Sequence, residues 1–255
     1  MITDIWTVMV KEWREYLAGS GTAGGSGRGR GLVGVLLIIG IASILWPLQM
    51  GRALFTSAAP VVVDGLFLPY MLLQSIIADS FAGERERHSL ETLLASRLSD
   101  RAILFGKFGA AVVYGTAVGI VGALVQAVVA NLSPNNTSAD VGLAFYPLSS
   151  LVAIVELGLL MSLLTASVGC LVSLRAATTR QAQLNLTFGF LALVFAPFII
   201  FQVLPRQTQT AILAALNSAD PLRVFLIFSG VLLTAAVVLL LIALARFQRA
   251  RLILA

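Results

Sequence analysis

The chain has 255 residues, of which 58% are hydrophobic and 11% charged, and its formal net charge is +5. A soluble domain carries roughly 25% charged residues, so these proportions exclude an ordinary water-soluble fold and point to lipid, where a charge at mid-bilayer is costly. One cysteine (Cys170) and one histidine (His88) exclude an intrachain disulfide, a cysteine metal cluster and any site built from two histidines. The excess of basic residues reads as membrane-flanking charge rather than a nucleic-acid footprint.

Residues 1–18 read as an amphipathic helix. Ile2, Ile5, Trp6, Met9, Trp13, Tyr16 and Leu17 recur at helical spacing, with Asp4, Lys11, Glu12, Arg14 and Glu15 on the other side. Those charges also rule out the apolar core of a signal peptide. Two tryptophans and a tyrosine on one stripe suit the headgroup boundary, so the helix is expected to lie on the membrane surface. Residues 19–31 (GSGTAGGSGRGRG) are too rich in glycine to hold a helix and read as a flexible linker.

Apolar blocks follow, each long enough to cross about 30 Å of hydrocarbon at about 1.5 Å per residue. They give six expected spans, at about 32–55, 61–81, 102–130, 148–174, 184–204 and 222–245, with Pro69 in the second and Pro197 in the fifth. Residues 175–183 read as a short polar connection and 205–221 as a short interfacial helix. The fold expected is therefore an all-α membrane protein.

Basic residues set the orientation. With the N-terminus in the cytoplasm, that side receives Lys11, Arg14, Arg28, Arg30, Arg85, Arg87, Arg97, Arg101, Lys107, Arg175, Arg180, Arg246, Arg249 and Arg251. Only Arg52, Arg206 and Arg223 fall on the other side. The positive-inside rule thus places both termini in the cytoplasm, and the expected location is a bacterial or archaeal plasma (inner) membrane.

Motifs for soluble catalysis are missing. Gly106-Lys107 is the sole Gly-Lys pair, but Arg101 stands where a phosphate loop needs its first glycine and Phe108 where it needs Ser or Thr. ATP, if used, is expected on another polypeptide. The informative stretch is 82–101. A charged hinge, Glu84-Arg85-Glu86, leads through His88 to a short helix whose N-cap is Ser89 and whose apolar edge is Leu90, Leu93 and Leu94, with Glu91 beside it. Ser99-Asp100 then caps the next helix. Physics alone fits both a solvated interfacial loop and a helix built to enter a partner's groove.

Glu84-Arg85-Glu86, Leu90-Glu91-Thr92-Leu93-Leu94, Ser99-Asp100 and Gly106-Lys107 together resemble the signature of the type-2 (ABC-2) exporter permeases. The order of elements is similar too: an amphipathic helix, six spans, and an interfacial segment between the last two. His88-Ser89 and Arg97 depart from the usual pattern. The resemblance implies a permease that carries no cofactor of its own and pairs with a second copy or a paralogue. It also implies a cytoplasmic P-loop ATPase partner that binds ATP and Mg and receives the coupling segment Glu84, Arg85, Glu86, His88, Ser89, Leu90, Glu91, Leu93 and Leu94.

Outside that segment, Glu156 lies about a third of the way along the fourth span. It is the candidate intramembrane polar site, as an ion site or proton relay, or as a residue hydrogen-bonded toward Ser162 or Thr165. Asp64 and Asp79 near the ends of the second span are expected to meet headgroups or loops. Two other readings of the chain stay open: a stand-alone proton-coupled secondary transporter using Glu156 and Asp79, and a membrane-embedded enzyme or assembly factor using His88.

Overall fold

The computed structural model describes residues 2–17, 37, 40–86, 99–136 and 142–246. Among these every regular element is helical. The N-terminal helix α1 is Ile2–Leu17. The short helices α2 (Trp46–Met50) and α3 (Ala59–Val62) lead to α4 (Leu68–Glu86). The remaining helices are α5 (Asp100–Asn131), α6 (Leu148–Arg175), α7 (Thr179–Val203), α8 (Arg206–Ser218) and α9 (Pro221–Arg246).

Five helical runs among the described residues are long and apolar enough to cross a membrane: Ala59–Glu84, Ala102–Asn131, Leu148–Arg175, Thr179–Val203 and Pro221–Arg246. They coincide with the second to sixth expected spans. The expected first span lies partly outside the described residues. Its described part ends early, because the helix stops at Met50 and a 3-10 turn runs from Gly51 to Thr56. Gly51 turns the chain with φ +57, and a Cβ there would lie 2.5 Å from Asn136 Oδ1. Ser133 Oγ donates to Leu48 O (2.6 Å) and Asn135 Nδ2 to Gln49 O (2.8 Å), so the 131–136 loop caps the last carbonyls of α2.

The two prolines near the start of these helices explain a further irregularity. Each of the π turns Ile41–Leu45 and Val63–Phe67 immediately precedes a proline-bearing turn. Proline cannot donate four residues back, so Pro47 and Pro69 each leave a carbonyl without its α-helical partner. In the π turns the bonds run five residues back instead, from Trp46 N–H to Ile41 O and from Leu68 N–H to Val63 O. Pro197, by contrast, lies inside α7.

α6 is the hub, packing against α4, α5, α7 and α9. Small residues let the backbones close in, as in membrane bundles generally. A Cβ on Gly119 would fall 2.4 Å from the Asp64 carbonyl. Polar side chains stitch the same contacts. Ser173 Oγ donates to Ala78 O and accepts from Ala82 N, both at 2.9 Å, and Tyr70 Oη donates to Leu186 O at 2.7 Å. Packing is uneven: over an apolar 18-residue stretch of each helix, 56% of α6 is buried against 6% of α7, so α7 leaves most of its apolar surface for lipid or another chain.

Two boundaries differ from the sequence reading. Residues 82–86 form the last turns of α4 rather than a hinge outside the helix, and α7 begins at Thr179, inside the expected polar connection. Thr178 supplies the physical reason for the second, accepting from Gln181 N at 3.2 Å as an N-cap.

Candidate functional site

α1 lies along the first turns of α5. Gly106 makes the approach possible: a Cβ there would stand 2.5 Å from Val8 Cβ. Trp13 Nε1 donates to Ala110 O (3.3 Å), and the Tyr16 and Tyr114 rings meet edge to face at 5.7 Å. The docked face carries Val8 and Glu12, both buried, while Trp6 is 61% exposed. This corrects the sequence reading, which set Glu12 on the polar side. The cause is a charge 95 residues away.

That charge is Lys107, next to Gly106. Its Nζ donates to Glu12 Oε1 (2.8 Å), Glu84 Oε1 (2.9 Å) and Ser80 O (3.0 Å). An ammonium has three N–H donors, and all three are engaged. Side chains of Lys107 and Glu12 are only 2% and 3% exposed. Lys11 closes the cluster from the edge, 3.5 Å from Glu12 Oε1 and 3.6 Å from Glu84 Oε1. Two ammonium groups therefore face two carboxylates, the arrangement that makes burial of charge affordable.

Glu86, two residues on, reaches the opposite way. Its Oε1 accepts from Thr179 N (3.0 Å) and its Oε2 from Thr179 Oγ1 (2.8 Å). An N–H at a helix start has no partner within the helix, and a carboxylate there also meets the positive end of the helix dipole. The end of α4 is thus fastened to α1 and α5 through Glu84 and to α7 through Glu86. Ser99 Oγ accepts from Ala102 N (3.2 Å), capping α5 as the sequence indicated. His88, Ser89, Leu90, Glu91, Leu93 and Leu94 lie outside the described residues, as does the side chain of Arg85.

Glu156 is half-buried on α6, and among the described residues it makes no hydrogen bond or ion pair; Thr165 Oγ1 instead donates to its own helix at Met161 O. The buried acidic groups are others. Asp79 and Asp64 are 5% and 0% exposed, so neither faces headgroups, one of the two settings the sequence reading gave them. Asp64 sits on a π turn and Oδ1 accepts from Gln126 Nε2 (2.9 Å). Gln126 also donates to Ala42 O (3.3 Å) and accepts from Tyr146 Oη (3.3 Å). Asp64 Oδ2 and the fully buried Ser43 Oγ have no hydrogen-bond partner among the described residues. The available sequence signal was a pair of polar residues, Asp64 and Gln126, in largely apolar blocks.

Bundled apolar helices, joined by buried polar groups and fastened at one end by ions, define a multi-pass membrane protein. The chain is similar to the ABC transporter permease protein NatB of Bacillus subtilis (strain 168), 25% identical over 174 residues. The match covers 65% of this chain and 45% of the relative, so the chain spans less than half the length of the curated protein it matches. No family model matches the chain.

Proposed function

We propose that this chain is the permease subunit of an ATP-binding-cassette exporter of the type-2 kind, with six spans and both termini in the cytoplasm. It moves a substrate outward using ATP hydrolysed, with Mg, on a separate cytoplasmic P-loop ATPase. The permease carries no cofactor, performs no catalysis and pairs with a second permease, identical or paralogous. Support comes from the likeness to NatB and from the signature 84–107.

The observation that carries the reading is the junction at Lys107. The proposed coupling segment, 82–101, opens on a helix end tied to three others: α1 and α5 through Glu84 and Lys107, and α7 through Glu86 and Thr179. A displacement of that segment by an ATPase is passed on through ion pairs and hydrogen bonds. Side chains loosely solvated at the membrane surface have no such grip.

Isolation of the tagged protein in mild detergent tests this, with co-purifying chains identified by mass spectrometry. A stoichiometric P-loop ATPase is expected, and Leu93→Asp is expected to release it while the permease still inserts, since the change puts a charge into an apolar groove. Retention of the ATPase by that variant removes the coupling role from 89–95. Absence of any ATPase across several detergents, with ion-driven flux lost in Glu156→Gln, points instead to a secondary transporter. An active His88→Ala protein eliminates the membrane-embedded enzyme that would use His88.

A further inference from the structure

A cleft of about 520 Å³ opens at the same end of the bundle as α1, where α6 ends and α7 and α9 flank it. Its polar rim is Arg175 from α6, Gln181 and Asn185 from α7, and Arg246 from α9. Leu171, Val172 and Ile242 make its apolar wall. Both arginines are exposed, and among the described residues neither guanidinium donates a hydrogen bond or forms an ion pair. The carboxylate of Glu86, at the end of α4, is turned to Thr179. Two cations from different helices therefore line one space with no anion paired to them among the described residues.

What balances them follows from the surroundings. The arginines stand at the last residue of α6 and of α9, the level at which an apolar span meets the polar boundary. Below them the apolar wall runs on into exposed side chains of both flanking helices, Leu184 and Phe188 on α7 and Val238 and Leu241 on α9. A free anion needs the upper part of this site and gains nothing from the lower. An anionic phospholipid uses both, since its phosphate meets the forked guanidinium donors. The Gln181 and Asn185 amides on the same rim offer N–H donors to its glycerol and ester oxygens, and the exposed apolar side chains of α7 and α9 suit its acyl chains. Basic pockets between membrane helices on one leaflet are the general form of such sites.

We propose that the Arg175–Arg246 cleft is a binding site for one anionic phospholipid, held by its phosphate between α6 and α9 with its chains on α7. The inference depends on the membrane setting of these helices and stands whichever transport reading is correct.

The test uses the full chain in nanodiscs of phosphatidylcholine with or without one-fifth phosphatidylglycerol, followed by thermal unfolding and by native mass spectrometry of detergent extracts. Phosphatidylglycerol is expected to raise the melting temperature by several degrees and to remain as a one-to-one adduct. The double variant Arg175→Gln/Arg246→Gln is expected to lose both effects. Arg180→Gln, outside the cleft, is expected to keep them. If the double variant does not fold, Arg246→Gln alone, at an exposed helix end, is expected to lower adduct occupancy at least threefold. Equal stabilisation by both lipids overturns the proposal, and so does an adduct that survives in the double variant. Sodium phosphate in detergent matching the effect of phosphatidylglycerol also overturns it, by making the ligand a free anion.

Discussion

Among the described residues, the Lys107 and Asp64 clusters solve the problem of buried charge in opposite ways. At the α1 end, Lys107 and Lys11 face Glu12 and Glu84, so the ions are matched in number and the central ammonium has every donor engaged. Between α4 and α5, Asp64 meets an amide and a carbonyl-bound network but no cation among the described residues. The first cluster fastens helix ends and depends on charge. The second fills a break in helical pairing, beside two π turns, and depends on hydrogen-bond shape. Neutralising a single residue should therefore be damaging in one place and tolerated in the other.

The sharpest break is Lys107→Met, which leaves two buried carboxylates without their shared ammonium. Removing one partner of a buried ion pair costs about 3–5 kcal/mol, read as a large fall in melting temperature of the purified protein. Adding Glu12→Gln and Glu84→Gln to that variant is expected to restore at least half the loss. Failure to restore anything would show that shape, and not charge, holds this junction.

Gly106→Ala is next. The added methyl collides with Val8, and over-packing of this kind costs about 1–3 kcal/mol. Because the strain is relieved by lifting α1, proteolysis within the first 18 residues should accelerate. Gln126→Leu, at the other cluster, deprives Asp64 and Ala42 O of their shared donor and leaves Tyr146 Oη without its acceptor. Unsatisfied buried groups cost about 1–3 kcal/mol each.

Thr179→Val removes one of the two bonds to Glu86 and keeps the backbone bond, for about 0.5–1.5 kcal/mol. The smallest effect is expected from Asp64→Asn. Its amide oxygen still accepts from Gln126, and its NH₂ replaces Oδ2 with a donor, so melting should shift by less than the equivalent of about 1 kcal/mol. A loss as large as that of Lys107→Met would erase the contrast between the clusters.

The sequence showed the helices better than it showed their faces. Spans two to six were legible because length and hydropathy answer to the bilayer alone, and Ser99 was legible because an N-cap is a local property. The docked face of α1 was not, because Glu12 is polar in isolation and becomes an inward residue only opposite Lys107. Asp64 was misplaced for a related reason. Its position near the start of a span implied the boundary, whereas the π turn ahead of Pro69 and the glycines of α5 enclose it. Of the junction, Glu84, Glu86 and Lys107 were all marked by their motif, but nothing local joined them to Glu12 or Thr179. Glu156 drew attention as an isolated acid; it is half-buried on α6 and makes no hydrogen bond or ion pair among the described residues.

The pairing of Glu12 with Lys107 also has a consequence for biosynthesis. The ribosome delivers Glu12 and Glu84 to the membrane before it delivers the lysine that neutralises them. Until residue 107 emerges, α1 has no ionic reason to leave the water-facing boundary. The helix ahead of it has no reason to bury its acidic end. Synthesis of α5 is thus the step at which the first helix of the chain becomes part of the bundle, and a ribosome stalled before residue 107 should hold α1 in a state that a protease can still cut.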